Sequence, residues 1–417
     1  MNKLKLEHRD TCRICGKEEF TKIVNWENVP LSADVLDEIS EEGLGEDVYP
    51  LDVYLCKECG HVQLLDIIDS EIYENYLYTP SFSKEFLEYV SALSMDIVDT
   101  YGPCKVIEIG SSDGLLLKHL QDKSCQVLGF EPSSCLAERA NNQYQIPTRN
   151  AYFSNNKETT SYIEECMGKA DLFIIRHVLE HLDHLDMIIQ GIYENLSETG
   201  SLIIEVPYLK NIIQENQFYA FFHEHLSYFS LRVLNKLLVK NNFVITNVRT
   251  GKLEGGSIVV YASKDKEAYV DNEVGVILEE EDRILSIEEI EKFSKRIHSC
   301  INSIRVFVDN MKNQQVKIAA WGAGQRAVTL LNACGLTSDH IQYVIDVNEN
   351  YQGKYLPGCH IPVVSPRELK KNPVDGIVVF ATGYMESIME SNKEFMVSGG
   401  RFIRIIPTIE WVDEIDN

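Results

Sequence analysis

From residue 105 onward, short apolar runs alternate with stretches of helical period. The run "KVIEIG" reads as a buried strand, and a glycine turn and an amphipathic helix follow it. "CQVLGF" gives a second strand, "ADLFII" another with a short helix after it, and "GSLIIEV" a further one. Strands separated by helices predict an α/β unit with a parallel sheet. The alternation restarts near residue 316, where "QQVKIAAWGAGQRAVTLLNACGL" gives strand, glycine turn and helix, and "IQYVIDVN" gives a second strand tipped by Asp346. Residues 263–315, charged and poor in Gly and Pro, predict a long helical linker between the two units. Residues 71–100 carry aromatic and apolar residues at helical spacing after Pro80 and predict a helical connector.

Composition sets the outer limits of this picture. A chain of 417 residues holds two or three domains of about 100–200 residues each. No run approaches the ~18 apolar residues of a membrane span, and the start "MNKLKLEHRD" has no secretory apolar region. The expectation is a cytoplasmic protein without a membrane partner. With 39 basic against 64 acidic residues the formal net charge is −25, and such a surface repels a nucleic-acid backbone. Small phosphorylated molecules stay open, because a local site can oppose the global sign.

Four of the eleven cysteines fall in pairs, Cys12 with Cys15 and Cys56 with Cys59. Each Cys-x-x-Cys clamps one side of a tetrahedral ion, and four thiolates close its coordination sphere. Residues 1–70 are therefore predicted to be a structural zinc module. The remaining cysteines are scattered, as in a reducing compartment, and His61 beside Cys59 is predicted to be a neighbour of the ion and not a ligand.

The first glycine turn spells Glu108-x-Gly110-Ser111-x-Asp113-Gly114, and the second strand ends in Glu131-Pro132. Glycine lets a ligand approach the backbone, and an acid at a strand tip can hold two ribose hydroxyls. The arrangement is similar to that of class I S-adenosylmethionine (SAM) methyltransferases. It predicts a SAM domain over 101–262 with Glu108, Gly110, Ser111, Asp113, Gly114, Glu131, Pro132 and His177 at the cofactor. The second turn, Gly322-x-Gly324-x-x-Ala327, predicts a second Rossmann-like unit over 316–417. It fits a dinucleotide, or a substrate diphosphate at the helix start.

Two histidine motifs compete for attention. His177-x-x-Glu180-His181 spells an inverted zinc-peptidase pattern, but His177 is predicted at a strand end and not on the helix that pattern needs. His223-Glu224-His225 admits three readings: a metal site with both histidines on one face of a strand, a catalytic base with its orienter, or a buried polar cluster.

The segments "VPLSADVL", "CKECGHVQL", "YLYTPSFS", "IEIGSSDG", "HEHLSYFS" and "GKYLPGCHIPVVSP" resemble, over nearly the whole chain, the deoxysugar C-methyltransferase family. The resemblance implies an α/β enzyme in which a class I SAM methyltransferase domain is flanked by a small zinc-binding module and a second Rossmann-like domain. It implies SAM and structural Zn2+ as cofactors and a nucleotide-linked 4-keto-deoxysugar as substrate, methylated beside its ketone, in a monomer or homodimer. It assigns His225 and Glu224 as base and orienter, and Tyr76, Tyr78, His181, Phe222, Gly256, Ser257, Gly324 and Arg326 to the substrate. The chain departs from the family where Phe222 replaces a tyrosine, where Glu254 replaces a histidine, and where "VVFATGYMESIME" replaces a Trp-Asn segment. O- or N-methylation of another nucleotide-linked sugar, and an NAD-binding oxidoreductase or a nucleotide-sugar binding protein, are the alternatives.

Overall fold

A computed structural model describes residues 5–32, 35–38, 46–68, 84–251 and 255–412. The first α/β unit is a seven-stranded sheet, ordered Val244–Gly251, Ser257–Ser263, Leu196–Pro207, Ala170–Arg176, Lys105–Ile109, Gln126–Phe130, Thr148–Arg149. Every pairing is parallel except the two made by Ser257–Ser263. This is the class I SAM methyltransferase fold expected from the sequence. Its central strands read as unbroken apolar runs because both faces are covered. Ile107, Phe173 and Ile175 pack into one hydrophobic cluster, and Val106, Leu172 and Ile174 pack into another. The strand order reverses between Lys105–Ile109 and Ala170–Arg176, which opens a crevice beyond their carboxyl ends.

The second α/β unit is a six-stranded sheet, ordered Val363–Val364, Val344–Ile345, Ile318–Trp321, Gly376–Val379, Arg401–Arg404, Glu410–Val412, with only the last strand antiparallel. The N-terminal module contributes the strands Phe20–Pro30, Val48–Cys56 and Val62–Leu64. A fourth strand of that sheet, Ser227–Tyr228, comes from the segment just after His225.

The predicted connector contains the helix Lys84–Tyr101, while residues 69–83, with Tyr76 and Tyr78, lie outside the described residues. The predicted linker is two helices, Asn272–Ile284 and Ile287–Asn313. The second does more than connect. Ile290, Phe293, Ile297, Ile304 and Val308 are buried in one cluster with Leu51 and Val53 of the N-terminal sheet, Phe221 and Tyr228, and Ile318 and Val344 of the last unit. Its apolar positions recur at helical spacing, but their partners are remote in sequence.

The first of these helices also supplies a buried carboxylate. Glu281, 0% exposed, accepts the N–H groups of Leu231 (2.6 Å) and Arg232 (2.9 Å) and the Tyr208 hydroxyl (2.8 Å). It thereby satisfies orphan donors at the start of the helix Leu231–Lys240. Glu281→Ala strands two buried donors and a part-buried one and is expected to lower unfolding free energy by about 3 kcal/mol. Glu281→Gln should lose less, and denaturant melts of the two variants test the order.

Candidate functional site

The paired cysteines converge. Cys12 Sγ lies 3.5 Å from Cys59 Sγ and Cys15 Sγ 3.6 Å from Cys56 Sγ, with all four sulfurs within 4.8 Å of one another. Both knuckles close alike, Gly16 N–H donating to Cys12 O and Gly60 N–H to Cys56 O at 2.9 Å, with left-handed glycines (φ 71° and 77°). Four convergent thiols fit a closed zinc site with no open position. His61 Nε2 lies 3.1 Å from Ser227 Oγ.

The knuckles lead directly to the histidine segment. Val62–Leu64, three residues after Cys59, pairs with Ser227–Tyr228, and Leu64 N–H donates to Leu226 O at 3.0 Å. Residues 222–225 form a turn closed by His225 N–H donating to Phe222 O (3.1 Å). The strand assumed in the metal reading is therefore absent, and the two histidines do not share a face. His223 reaches Pro50 O (3.3 Å), whereas His225 stacks 4.0 Å from the Phe222 ring and 4.9 Å from His181.

Glu224, expected beside His225, turns the other way. It is 1% exposed, and its carboxylate accepts from Ser32 Oγ at 3.0 Å, while His225 Nδ1 has no hydrogen-bond partner among the described residues. The residue acts on the pair through its backbone, because its carbonyl accepts from His181 Nδ1 at 2.6 Å. A carbonyl can only accept, so that contact fixes the protonated nitrogen of His181. Ser32 lies in the quoted "VPLSADVL" segment, but no spacing rule joins it to a residue so distant in sequence.

Glu180 completes the group. It is 1% exposed, its carboxylate has no hydrogen-bond partner among the described residues, and His177 Nδ1 lies 3.6 Å away. Donor atoms of Glu180, His181 and His225 come within 4.8 Å of one another. His177 sits in a loop with φ 50°, ahead of the short turn Leu179–His181, so no helix presents the peptidase pattern.

Burial pushes the His225 pKa well below the ordinary imidazole value, and His181, Arg326 and His177 add to the effect. The ring is therefore neutral at pH 7 and able to take a proton. The acid limb of kcat/KM, which reports protonation of the base, is expected below pH ~6.5, the unperturbed value. A limb at or above that pH in a pH–rate profile counts against His225.

In the crevice of the first unit, Glu131 accepts the Ser112 N–H at 2.9 Å and the Ser133 N–H at 2.8 Å. Gly110 is left-handed (φ 68°), and a Cβ there would collide with Val178. Glu108 lies 4.0 Å from Arg176, and burial pushes its pKa up to about 8 against the pull of that guanidinium. An arriving cation would draw it back to the charged form. Arg176 itself pairs with Glu205 at 2.7 Å. Asp113 is buried against Arg139 at 3.6 Å. Gly114 packs close, since a Cβ would stand 3.0 Å from that of Ala140.

One cavity of about 1410 Å³ joins these groups. Glu108, Gly110, Ser111, Asp113, Glu131, Pro132, His177, His181, Phe222, His225, Gly324 and Arg326 all line it. Gly256 and Ser257 are not among its lining residues. Ser257 donates to Glu205 at 2.9 Å, and Gly256 O accepts from Tyr208 N–H at 3.2 Å, so both serve the sheet. Glu254 lies outside the described residues. The divergent "VVFATGYMESIME" segment forms part of the wall through Phe380, Thr382, Tyr384 and Ser387.

Three sequence families match the chain: a zinc binding domain over residues 12–73, a methyltransferase domain over 78–248 and a C-methyltransferase C-terminal domain over 252–407. The C-methyltransferase NovU of Streptomyces niveus is 32% identical over 408 residues, covering 95% of this chain and 96% of NovU. Among solved structures, PH0226 protein from Pyrococcus horikoshii OT3 is similar with a TM-score of 0.37 and 14% identity, covering 45% of this chain and 95% of its own. A SAM dependent methyltransferase from Archaeoglobus fulgidus gives a TM-score of 0.35 and 15% identity, covering 44% and 98%. The zinc-ready cysteines, the class I sheet and the full-length likeness to NovU agree: the chain belongs to the C-methyltransferase family.

Proposed function

We propose that the protein methylates a carbon next to the C4 ketone of a nucleotide-diphosphate 4-keto-deoxysugar, with SAM as methyl donor. The observation that carries this reading is the single cavity linking the Glu131 crevice, the His181–His225 pair and the Gly322–Arg326 turn. A cofactor at the first, a sugar at the second and a diphosphate at the third fit its extent. The left-handed turn at Gly110 and the acid at Glu131 suit SAM, with Glu108 and His177 beside them. Bound there, SAM supplies an electrophilic methyl group.

A sugar carbon becomes nucleophilic only when a proton leaves it, and the neighbouring ketone makes that possible by spreading charge onto oxygen. Neutral His225 removes the proton. The Glu224 carbonyl holds His181 in one orientation against the His225 ring, and Ser32 holds Glu224. Phe222 excludes water from one face of the base but offers no hydroxyl to the developing oxyanion. Donors for that oxygen come from the far wall, where Thr382, Tyr384, Ser387 and Arg326 line the cavity.

Incubation with SAM and a panel of nucleotide-linked 4-keto sugars, read by NMR, tests the reading. A new C-methyl at C3 or C5 is expected. A methyl group on oxygen or nitrogen, or tight NADH binding without SAM binding, would reject it.

A further inference from the structure

With the Glu224 carboxylate turned to Ser32, the place of an acid beside His225 falls to another residue. Glu180 stands there. It belongs to the short turn Leu179–His181, lines the cavity together with His181 and His225, and is 1% exposed. Both of its carboxylate oxygens, and Nδ1 of His225, are buried without a hydrogen-bond partner among the described residues. One of those oxygens lies within 4.8 Å of a ring nitrogen of His225 and of a ring nitrogen of His181. A carboxylate buried in this way destabilises the fold. A positive charge arising beside it during turnover relieves that cost.

The turn is held at both ends. His177 N–H donates to Glu205 O at 2.8 Å and His181 N–H to Val178 O at 3.0 Å, while Asp183, just past the turn, pairs with Arg9 at 2.9 Å and with Arg13 at 2.8 Å. Nδ1 of His181 is already engaged with Glu224 O. The other charged or titratable groups that face His225 are His181 and His177 from the same loop, Arg326 from the second α/β unit, and Tyr228, whose hydroxyl is engaged with the Phe222 backbone. His181, Arg326 and His177 all oppose a positive charge on His225. Glu180 supplies the charge that favours one.

Building on the reading of His225 as base, we infer that Glu180 is the counter-ion of the His225 imidazolium, a positioning residue that stabilises the charge His225 acquires on deprotonating the substrate carbon. In that step the C–H bond breaks, its electron pair passes into the enolate, and the proton bonds to a His225 nitrogen. Glu180 faces the cation and stays a carboxylate, as the buried acid of a nucleophile–histidine–acid triad does. Contacts of this kind are commonly long before substrate arrives and shorten in the complex.

The test follows deuterium exchange beside the ketone of a nucleotide-linked 4-keto sugar as a function of pH. It uses the full-length zinc-loaded protein with S-adenosylhomocysteine bound, as wild type, Glu180→Gln and Glu180→Asp. Glu180→Gln keeps the shape and removes the charge, and its exchange should fall by about 10²-fold or more. Its acid limb should move to lower pH, because an imidazolium without its counter-ion gives up its proton more readily. Its denaturant midpoint should stay level or rise, since a buried carboxylate has gone, whereas loss of a merely structural residue would lower it. Glu180→Asp retains the charge one methylene further back and should fall between the other two in both exchange and limb.

Exchange in Glu180→Gln near that of wild type, slower exchange with the limb unmoved, or an aspartate variant as slow as the glutamine one overturns the inference. Should Glu180→Gln fail to fold, Glu180→Asp decides: slower exchange with a lower limb supports the counter-ion, and wild-type exchange and limb overturn it. Absence of exchange in the wild type, or exchange that survives in His225→Ala, overturns the base reading and this inference with it. Exchange that needs His225 but is indifferent to Glu180→Gln overturns this inference alone.

Discussion

In His225→Ala, enzyme-dependent uptake of deuterium beside the substrate ketone should fall by about 10²–10⁴-fold, the usual contribution of a positioned base. S-adenosylhomocysteine should bind as before, because His225 lies outside the glycine turn and the Glu131 crevice. His223→Ala should retain exchange, since His223 is turned toward Pro50 and not toward His181. Ser32→Ala removes the hydroxyl that holds the buried Glu224 carboxylate and should lower kcat, with a smaller effect than loss of His225. Exchange in deuterated water isolates proton removal from methyl transfer, so a defect confined to transfer would not imitate these outcomes. Undiminished exchange in His225→Ala would dismiss it as the base. Metal analysis adds a check on the same cluster. One zinc per chain is expected from the four cysteines, and a second would point to Glu180, His181 and His225 as ligands instead.

Removing zinc should be as damaging as removing the His225 imidazole. Structural zinc contributes about 10–16 kcal/mol in small modules, and the N-terminal sheet is too small to replace that with apolar burial. The damage would spread in a specific direction. Loss of the ion frees Cys59, then His61 and the strand Val62–Leu64, then its partner strand Ser227–Tyr228, and with it the turn that carries His225. Chelation, or Cys59→Ser, is therefore expected to abolish deuterium exchange into substrate and to raise amide hydrogen exchange across residues 220–230. S-adenosylhomocysteine binding should persist, because one face of the seven-stranded sheet packs a core to which the zinc module contributes no residue. Metal-free protein that keeps both protection at 220–230 and activity would contradict this coupling.

The legible parts of the sequence were those governed by local rules. Both glycine turns and both strand-tip acids follow from a short run of apolar residues ending in glycine or an acid, and the cysteine pairs follow from the bite of one metal ion. His225 stands out in the sequence through a motif, and its neutral state depends on the surrounding burial. What stayed hidden depends on contacts between distant segments. Glu224 was expected to face its sequence neighbour, yet a turn sends its side chain to Ser32 and its carbonyl to His181. Gly256 and Ser257 looked like substrate contacts, but a serine opposite a buried Arg176–Glu205 pair is recruited by the sheet. The helix Ile287–Asn313 carries a charged, linker-like surface, and its buried stripe became interpretable only once its three partners were in place.

The strand Ser227–Tyr228 has a further consequence, for recombination between relatives. Although His225 is numbered within the methyltransferase segment, its seat is woven into the N-terminal sheet, and Leu51, Phe221 and Phe293 share one core. A chimera joined between the zinc module and the methyltransferase domain would inherit His225 and its seat from different parents. Crossovers that keep residues 5–68 together with 209–231 from a single parent should yield working enzymes, and cuts that divide them should yield proteins that bind cofactor but do not turn over.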